Sequence, residues 1–292
     1  TCALPIYLDN ATTIQSSAVL FDLSVGVYSA SKTDRSVTEE VAGNKNASSA
    51  AGNYMKKLFA DNKALADISK YAAGCRNWNS KNSLPWSDNG LRLVSMDNML
   101  DHQAQIKGME QEFWVLVKEF MNDYDMHITA AAVSLGSMFN RDEYPSRDEV
   151  AAKFKFRYVY LPIPDAGDFR VDTMNAGLRE IAEHTEQVFN DRITSAMREA
   201  WDRLRNSLVH LRDKMTDDEG KKRIHATLLP NIHETISILQ GLNITGDVDL
   251  DNAAKEVLAL VNRLDLKDLK NDPDARKDTK RQVDDILNKF NW

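Results

Sequence analysis

Cysteine and long apolar runs are both scarce in this sequence. Of its 292 residues only Cys2 and Cys75 are cysteines, too few for a disulfide framework or a four-thiolate zinc site. The longest apolar runs, such as residues 128–135, are too short to cross a bilayer. No basic stretch followed by an apolar one opens the chain, so no secretory signal is expected. We therefore expect a cytoplasmic protein that does not act at a membrane.

The motifs of the common enzyme and cofactor classes are also missing. The sequence contains no phosphate-loop motif, no Gly-x-Gly-x-x-Gly, no His-Glu-x-x-His, no Glu-x-x-His and no Gly-x-Ser-x-Gly. Two weak patterns remain. Ser29-x-x-Lys32 resembles an activated serine, but a solvated loop is the favoured interpretation. Asp123, Asp125 and His127 could ligate a metal, but a charged helix terminus is favoured. No catalytic, cofactor-binding or metal-ligating residue is predicted, and we expect a non-enzymatic protein.

The composition is that of a soluble globular protein. Hydrophobic residues make up 42% and charged residues 28% of the chain, and the length suits one large domain or two ordinary ones. The net charge of −7 argues against electrostatic binding of nucleic acid over the whole surface, but it allows a local basic patch.

An alternation of basic and aromatic residues is the sharpest local signal. Residues 153–160 read Lys-Phe-Lys-Phe-Arg-Tyr-Val-Tyr. Because strand side chains alternate between two faces, one face carries the aromatic rings and the other carries Lys153, Lys155 and Arg157. Such a strand is either a nucleic-acid platform with outward rings or an ordinary half-buried strand, and the second interpretation is favoured.

A further basic and aromatic cluster covers residues 70–92, and residues 70–87 contain no acidic side chain. Cations that follow phosphates and rings that stack on bases are the usual means of binding single-stranded nucleic acid. The candidate nucleic-acid-binding residues are therefore Lys153, Lys155, Arg157, Arg76, Trp78, Lys81, Trp86 and Arg92. In the alternative interpretation, the two tryptophans fill a core beneath a loop.

Residues 173–215 predict one long helix. They contain no proline, and apolar residues recur in steps of three and four. At 1.5 Å per residue this helix would extend roughly 60 Å, about twice the diameter of a small domain. A helix of that length needs partners, either from its own chain or from another copy. Self-association into a homo-oligomer is therefore expected, and intramolecular packing remains the alternative.

The remaining pattern predicts an α+β fold that is predominantly helical. Strands are expected at 19–28, 91–94 and 154–161, with helices at 54–75, 96–127 and 128–139 and loops at 29–53 and 76–90. A small antiparallel or mixed sheet with helices would form residues 19–162, and a long-helix bundle would form residues 163–292. The opening Cys-Ala-Leu-Pro-Ile resembles a translated sequencing adapter from environmental reads, so residues 1–18 are expected to be disordered or artefactual.

Four segments resemble a protein family from tailed phages and integrative elements. They are Leu84-Pro-Trp-Ser-Asp-Asn-Gly-Leu-Arg92, Tyr144-Pro-Ser146, Phe156-Arg-Tyr-Val-Tyr-Leu-Pro-Ile-Pro-Asp-Ala-Gly-Asp-Phe-Arg-Val171 and Leu239-Gln-Gly-Leu-Asn-Ile-Thr-Gly-Asp247. Some members are encoded near recombination genes or MoxR-type ATPases. The family has no established activity, so the resemblance implies no site residue. It implies a phage or mobile-element origin, a host-cell cytoplasmic location and a link to DNA metabolism.

These observations together favour a self-associating helical interaction protein, an adaptor or assembly component of phage type. Its expected partners are further copies of itself and a phage or host protein. The alternative is a single-stranded nucleic-acid binding or annealing protein that uses the basic and aromatic face.

Overall fold

The computed structural model describes residues 10–164, 176–215, 224–290 and 292. Helices dominate and the sheet is small, so the predicted α+β, mainly helical fold is confirmed. The strands are β1 (Ala18–Gly26), β2 (Ser31–Thr33), β3 (Met55–Lys57), β4 (Leu84–Pro85), β5 (Arg92–Ser95) and β6 (Lys155–Leu161). The helices are α1 (Asn10–Ser17), α2 (Arg35–Asn44), α3 (Lys63–Lys81), α4 (Met99–Asn122), α5 (Tyr124–Leu135), α6 (Arg147–Ala151), α7 (Ala176–Met215), α8 (Leu228–Leu242), α9 (Val248–Val261), α10 (Leu266–Asn271) and α11 (Pro273–Lys289).

The larger sheet has four strands in the order β4-β5-β1-β6. Strands β1 and β5 are antiparallel, with Ala18 opposite Ser95 and Phe21 opposite Arg92. Strand β4 continues the antiparallel pattern by placing Leu84 opposite Leu93. Strands β2 and β3 form a separate antiparallel pair.

The chain divides into two compact units, and each unit combines separated segments. The first contains Thr1–Asp22, Trp78–Gln103 and Val159–Trp292, and the second contains Leu23–Asn77 and Ala104–Tyr158. The sequence-based division at residues 19–162 and 163–292 instead follows the order of the chain. The difference arises because β4 packs on α7 and β5 packs on α8, which joins residues 78–103 to the C-terminal helices.

The core of the first unit is aliphatic and centres on α7. This helix packs against α11, α8, α9 and β4, and α8 and α9 pack on each other. The buried α7 residues are Phe189, Ala196, Met197, Ala200, Leu204, Leu208, Leu211 and Met215. Near the end of the chain, the ring of Trp292 contacts the ring of Trp201, whose Nε1 donates to the Asp247 carboxylate at 2.9 Å.

The core of the second unit is aromatic and centres on Phe59. Its ring meets Phe120, Tyr124 and Tyr144 at centroid distances of 5.8, 5.9 and 5.2 Å. The two tyrosines are buried with satisfied hydroxyls, since Tyr144 donates to the Leu58 carbonyl and Tyr124 donates to the Pro145 carbonyl. This cluster therefore combines ring packing with hydrogen bonds that tie three loops to α4 and α5.

Several helix starts follow directly from the sequence. Ser146 and Glu149 form the predicted capping box at the start of α6. Asp272 caps α11 with Pro273 in its first turn, as predicted. Asp34 caps α2 in the same way by accepting from the amide of Val37.

Other local predictions are wrong. Residues 54–75 do not form one helix, because 55–57 pair as β3 and α3 starts only at Lys63 and runs on to Lys81. The region predicted as polar loop at 29–53 contains α2 and β2. Residues 10–17 form α1, and Ile14 is fully buried, so the expected disorder does not apply to them. Residues 1–9 and most of the predicted domain seam at 162–172 lie outside the described residues.

Candidate interaction surfaces

Helix α7 is much longer than the helices packed against it. It has 40 residues, whereas α11, α8 and α9 have 17, 15 and 14. At 1.5 Å per residue α7 spans about 60 Å and α11 spans about 26 Å. The described partners within its own unit therefore cannot cover α7 along its whole length.

The uncovered part is the N-terminal stripe of α7, which we define as Ile181, Ala182, Thr185 and Val188. These residues lie on one side of the helix at spacings of three and four. None of the side chains from residue 180 to residue 188 is buried, and Ile181 is 50% exposed. Burial begins at Phe189 and continues to Met215. The stripe thus continues the buried side of α7 beyond the core of its unit.

Trp86 marks the point where the core of the first unit begins on α7. Its indole is 5% exposed, meets the ring of Phe189 edge-on at 5.1 Å, and lies beneath the Arg192 guanidinium at 5.6 Å. Because both contacts are internal to the unit, this ring has no open face on which a base could stack. The interpretation of Trp86 as a core residue therefore describes its position.

A second apolar surface is the outer face of α5, defined as Met126, Ala130 and Val133. Met126 is 69% exposed and Val133 is 84% exposed, and Ala130 is also exposed. The opposite side of the same helix is buried through Tyr124, Ile128, Ala131 and Leu135. A helix that is apolar on both sides is normally covered on both sides, and a continuous exposed apolar patch is typical of an interaction site.

Strand β6 presents its basic side to solvent and buries two of its rings. Lys153, Lys155 and Arg157 are exposed. Phe154 contacts Phe120 at 5.9 Å, and Phe156 contacts Phe113 at 5.5 Å. These two rings are part of the core of the second unit and cannot stack on bases, so only the cations of this strand remain available to a nucleic acid.

The other candidate nucleic-acid-binding residues are divided between the two units. In the second unit the exposed Arg76 donates to the Val25 carbonyl. In the first unit Lys81 is exposed, and the half-buried ring of Trp78 meets His102 at 5.0 Å. The combination of all eight residues into one binding face stays a prediction.

Arg92 is used inside the first unit. Its guanidinium donates to the hydroxyl and carbonyl of Ser83 and to the carbonyl of Ser80. Arg203 binds the same chain reversal by donating to the carbonyls of Ser80, Lys81 and Ser83. Burial, and then the positive charge of Arg203, lower the pKa of Arg92. The two arginines therefore satisfy the carbonyl end of α3, and Arg92 is not positioned to bind phosphate.

His102 is a functional-looking residue that the sequence did not reveal. Its Nδ1 lies 2.8 Å from the Tyr160 hydroxyl, and its ring contacts Phe21 at 4.7 Å as well as Trp78. Its Nε2 is buried without a hydrogen-bond partner among the described residues. Burial lowers the pKa of His102 from 6.5 to about 4. The surrounding residues are distant in sequence, so no local pattern could have identified this cluster.

Lys56 is a second buried polar residue that the sequence did not reveal. Its ammonium is within 3.4 Å of the Asp34 carboxylate and 2.6 Å of the Glu143 carboxylate, and it donates to the Met138 carbonyl at 2.8 Å. Burial alone would lower the pKa of Lys56, but the bonds and charges of the two carboxylates outweigh burial and raise it. The residue thus joins β3 to the segments around it and is not activated for chemistry.

The two weak chemical patterns do not form sites. Ser29 and Lys32 are both exposed on the segment that leads into β2. Asp125 pairs with Arg147 at 3.5 Å, and the His127 ring stacks on Phe120 at 5.0 Å, so they do not converge. Within the described parts of the chain, no three His, Cys, Asp or Glu side chains are grouped in a way that could hold a metal ion.

Comparisons with known proteins give no relative for this chain: no family model, no curated protein and no solved structure matches it. Among the described residues, no helix is both long enough and apolar enough to cross a membrane. Any functional conclusion therefore rests on the surfaces described above.

Proposed function

We propose that this chain is a non-enzymatic interaction protein that self-associates and acts as an adaptor or assembly component. The observation that supports this proposal is the N-terminal stripe of α7, which continues a buried helix side beyond the core that covers the rest of the helix. An apolar stripe of this kind suits the same stripe on a second copy, since side chains at spacings of three and four interlock between paired helices.

The size of the stripe limits how strongly it can associate. Full burial of an Ile or Val side chain contributes about 1.5–3 kcal/mol, and Ile181 is already half covered. Two copies of the stripe therefore contribute on the order of 4 kcal/mol. Association itself costs about 4–15 kcal/mol. The stripe alone supports only a weak, concentration-dependent contact, and a stable assembly needs a second surface.

The outer face of α5 is the surface best suited to supply that addition. Its two large side chains are more exposed than Ile181, so each has more area left to bury. It also suits a different partner, and we place the phage or host protein partner of the adaptor on this face when self-association uses α7 alone. The resemblance to a family from tailed phages supports a cytoplasmic setting linked to DNA metabolism.

Light scattering after size-exclusion chromatography tests self-association over a wide range of protein concentration. We expect the apparent mass of the wild-type chain to rise with concentration, and Ile181→Glu to lower it because a charge would enter the contact. Asn190→Glu is the matched control, since residue 190 is exposed and lies on the opposite side of α7 from residue 181. A wild-type chain that stays monomeric at every concentration would contradict the proposal.

A second candidate function is binding of single-stranded nucleic acid, favoured by the three exposed cations at 153, 155 and 157. Fluorescence anisotropy with a labelled oligonucleotide should show binding that weakens steeply as salt rises. Lys155→Glu and Arg157→Glu should each weaken it further, whereas Lys107→Glu, an exposed cation elsewhere in the same unit, should have a smaller effect. The absence of binding at low salt would end this candidate.

A further inference from the structure

The groove between the C-terminal half of α7 and the N-terminal half of α8 is lined almost entirely by polar side chains. Its volume is about 410 Å³, within the range of small-molecule sites. Every fourth residue of each helix contributes, and Leu228 and Ile232 form an apolar floor. The polar lining residues are Asn206, Ser207, His210 and Lys214 on α7, and His225, Thr227, Asn231 and Thr235 at α8.

Most of these polar groups have no partner inside the protein. Ser207 and Thr235 donate to the carbonyls of Arg203 and Asn231. In contrast, no side-chain hydrogen bond or ion pair to another described residue is made by the other six, which are Asn206, His210, Lys214, His225, Thr227 and Asn231. Six side chains that can each donate a hydrogen bond therefore point their unused capacity toward one groove.

The groove also differs in charge from the chain as a whole. The chain carries 44 acidic and 37 basic residues, but no carboxylate is among the ten residues that line this groove. Lys214 supplies a positive charge, and His210 and His225 can supply two more. A lining of donors without a carboxylate attracts an anion and offers a cation nothing to bind.

We propose that this groove binds an oxyanion of the phosphate class, carried by a small organic molecule. Lys214 would make a charge-assisted hydrogen bond to the phosphate oxygens, and the histidine and asparagine side chains would donate to the remaining oxygens. The apolar floor would receive the organic part of the ligand. A metal ion is a poorer fit, since two histidines without a third protein ligand do not complete a metal site.

The ring signals of the histidines provide a direct test with inorganic phosphate as the probe. The chain has six histidines, and only His210 and His225 line the groove. In proton–carbon spectra at constant pH, phosphate should shift the Cε1–H signals of these two and leave the other four in place. Sodium chloride at matched ionic strength is the reference, and single His→Gln variants assign the signals.

Two variants connect the shift to the groove. Lys214→Gln should weaken phosphate binding by about tenfold, because it removes the charge-assisted contact. Lys277→Gln removes an exposed lysine of α11 that does not line the groove, and it should bind phosphate as the wild type does. Circular dichroism of both variants checks that they are folded.

Three results would overturn the proposal. The first is the absence of a phosphate shift beyond that of chloride. The second is an equal shift of all six histidines, which would indicate general ion binding. The third is a Lys214→Gln variant that binds as tightly as the wild type. Polyglutamate that moves the same two signals when phosphate does not would assign the groove to an acidic peptide instead. None of these results depends on self-association, so the two proposals fail separately.

Discussion

The buried histidine of the first unit predicts a specific loss of stability in acid. His102 is 4% exposed, and its contacts are the Tyr160 hydroxyl and the rings of Phe21 and Trp78. None of these groups carries a charge that would favour the imidazolium. Burial therefore keeps the ring neutral in the folded protein and lowers its pKa to about 4, whereas the unfolded chain has the ordinary value of 6.5.

The sign and size of the effect follow from proton linkage. Between pH 6.5 and pH 4 the unfolded chain binds a proton at this residue and the folded chain does not, so acid favours unfolding. One pKa unit corresponds to about 1.4 kcal/mol, which gives a loss of about 3 kcal/mol across this window. Above pH 6.5 the residue contributes no pH dependence, and below pH 4 the loss is complete.

Urea denaturation at several pH values between 7 and 4 measures this contribution by comparison with His102→Asn. The asparagine amide can replace Nδ1 near Tyr160 but cannot be protonated. We expect the variant to be less stable at pH 7 because it leaves a cavity, and to lose about 3 kcal/mol less than the wild type on acidification. His184→Asn, at an exposed position of α7, is the matched control.

Two outcomes would refute this reasoning. One is an acid-induced loss of stability in His102→Asn that equals the wild-type loss within about 1 kcal/mol, which is less than one pKa unit. The other is a ring titration of His102, followed by nuclear magnetic resonance, with a midpoint above pH 6. Either result would show that the folded protein accepts the proton as readily as the unfolded chain does.

Three further predictions concern stability, and denaturant titration measures each. A Cβ added at Gly241 would lie 1.8 Å from Asn98 Nδ2, so Gly241→Ala should cost about 1–2 kcal/mol alone but stabilise the Asn98→Ala background by up to about 1 kcal/mol; equal effects in both backgrounds would reject the contact. Lys56→Met should cost about 3 kcal/mol or more, because it leaves two facing carboxylates without their cation; a loss below about 1 kcal/mol would show that solvent already screens them. Arg203→Ala should cost about 1.5–3 kcal/mol by leaving three carbonyls without a donor, and Arg203→Lys should recover little because an ammonium lacks the planar fork; full recovery by lysine would indicate that charge alone matters.

Local sequence determined the elements whose signal lies within a few neighbouring residues. The long helix follows from the absence of proline and an apolar spacing that continues over forty residues, and α7 confirms it. The strand at residues 155–161 follows from alternation, and the caps at Ser146 and Asp272 follow from side chains that accept backbone amides three or fewer residues away. In each case the interacting groups are close in the chain, so the sequence contains the whole cause.

Only the tertiary structure decided which side of each element is covered and by what. The alternating strand would present the same pattern whether its rings faced a core or a ligand, and contacts with Phe113 and Phe120 place two of them in a core. The clusters around His102 and Lys56 join residues from distant segments, as do the two discontinuous units. Periodicity records which residues share a side of a helix or strand, but burial depends on which other segments pack against that side.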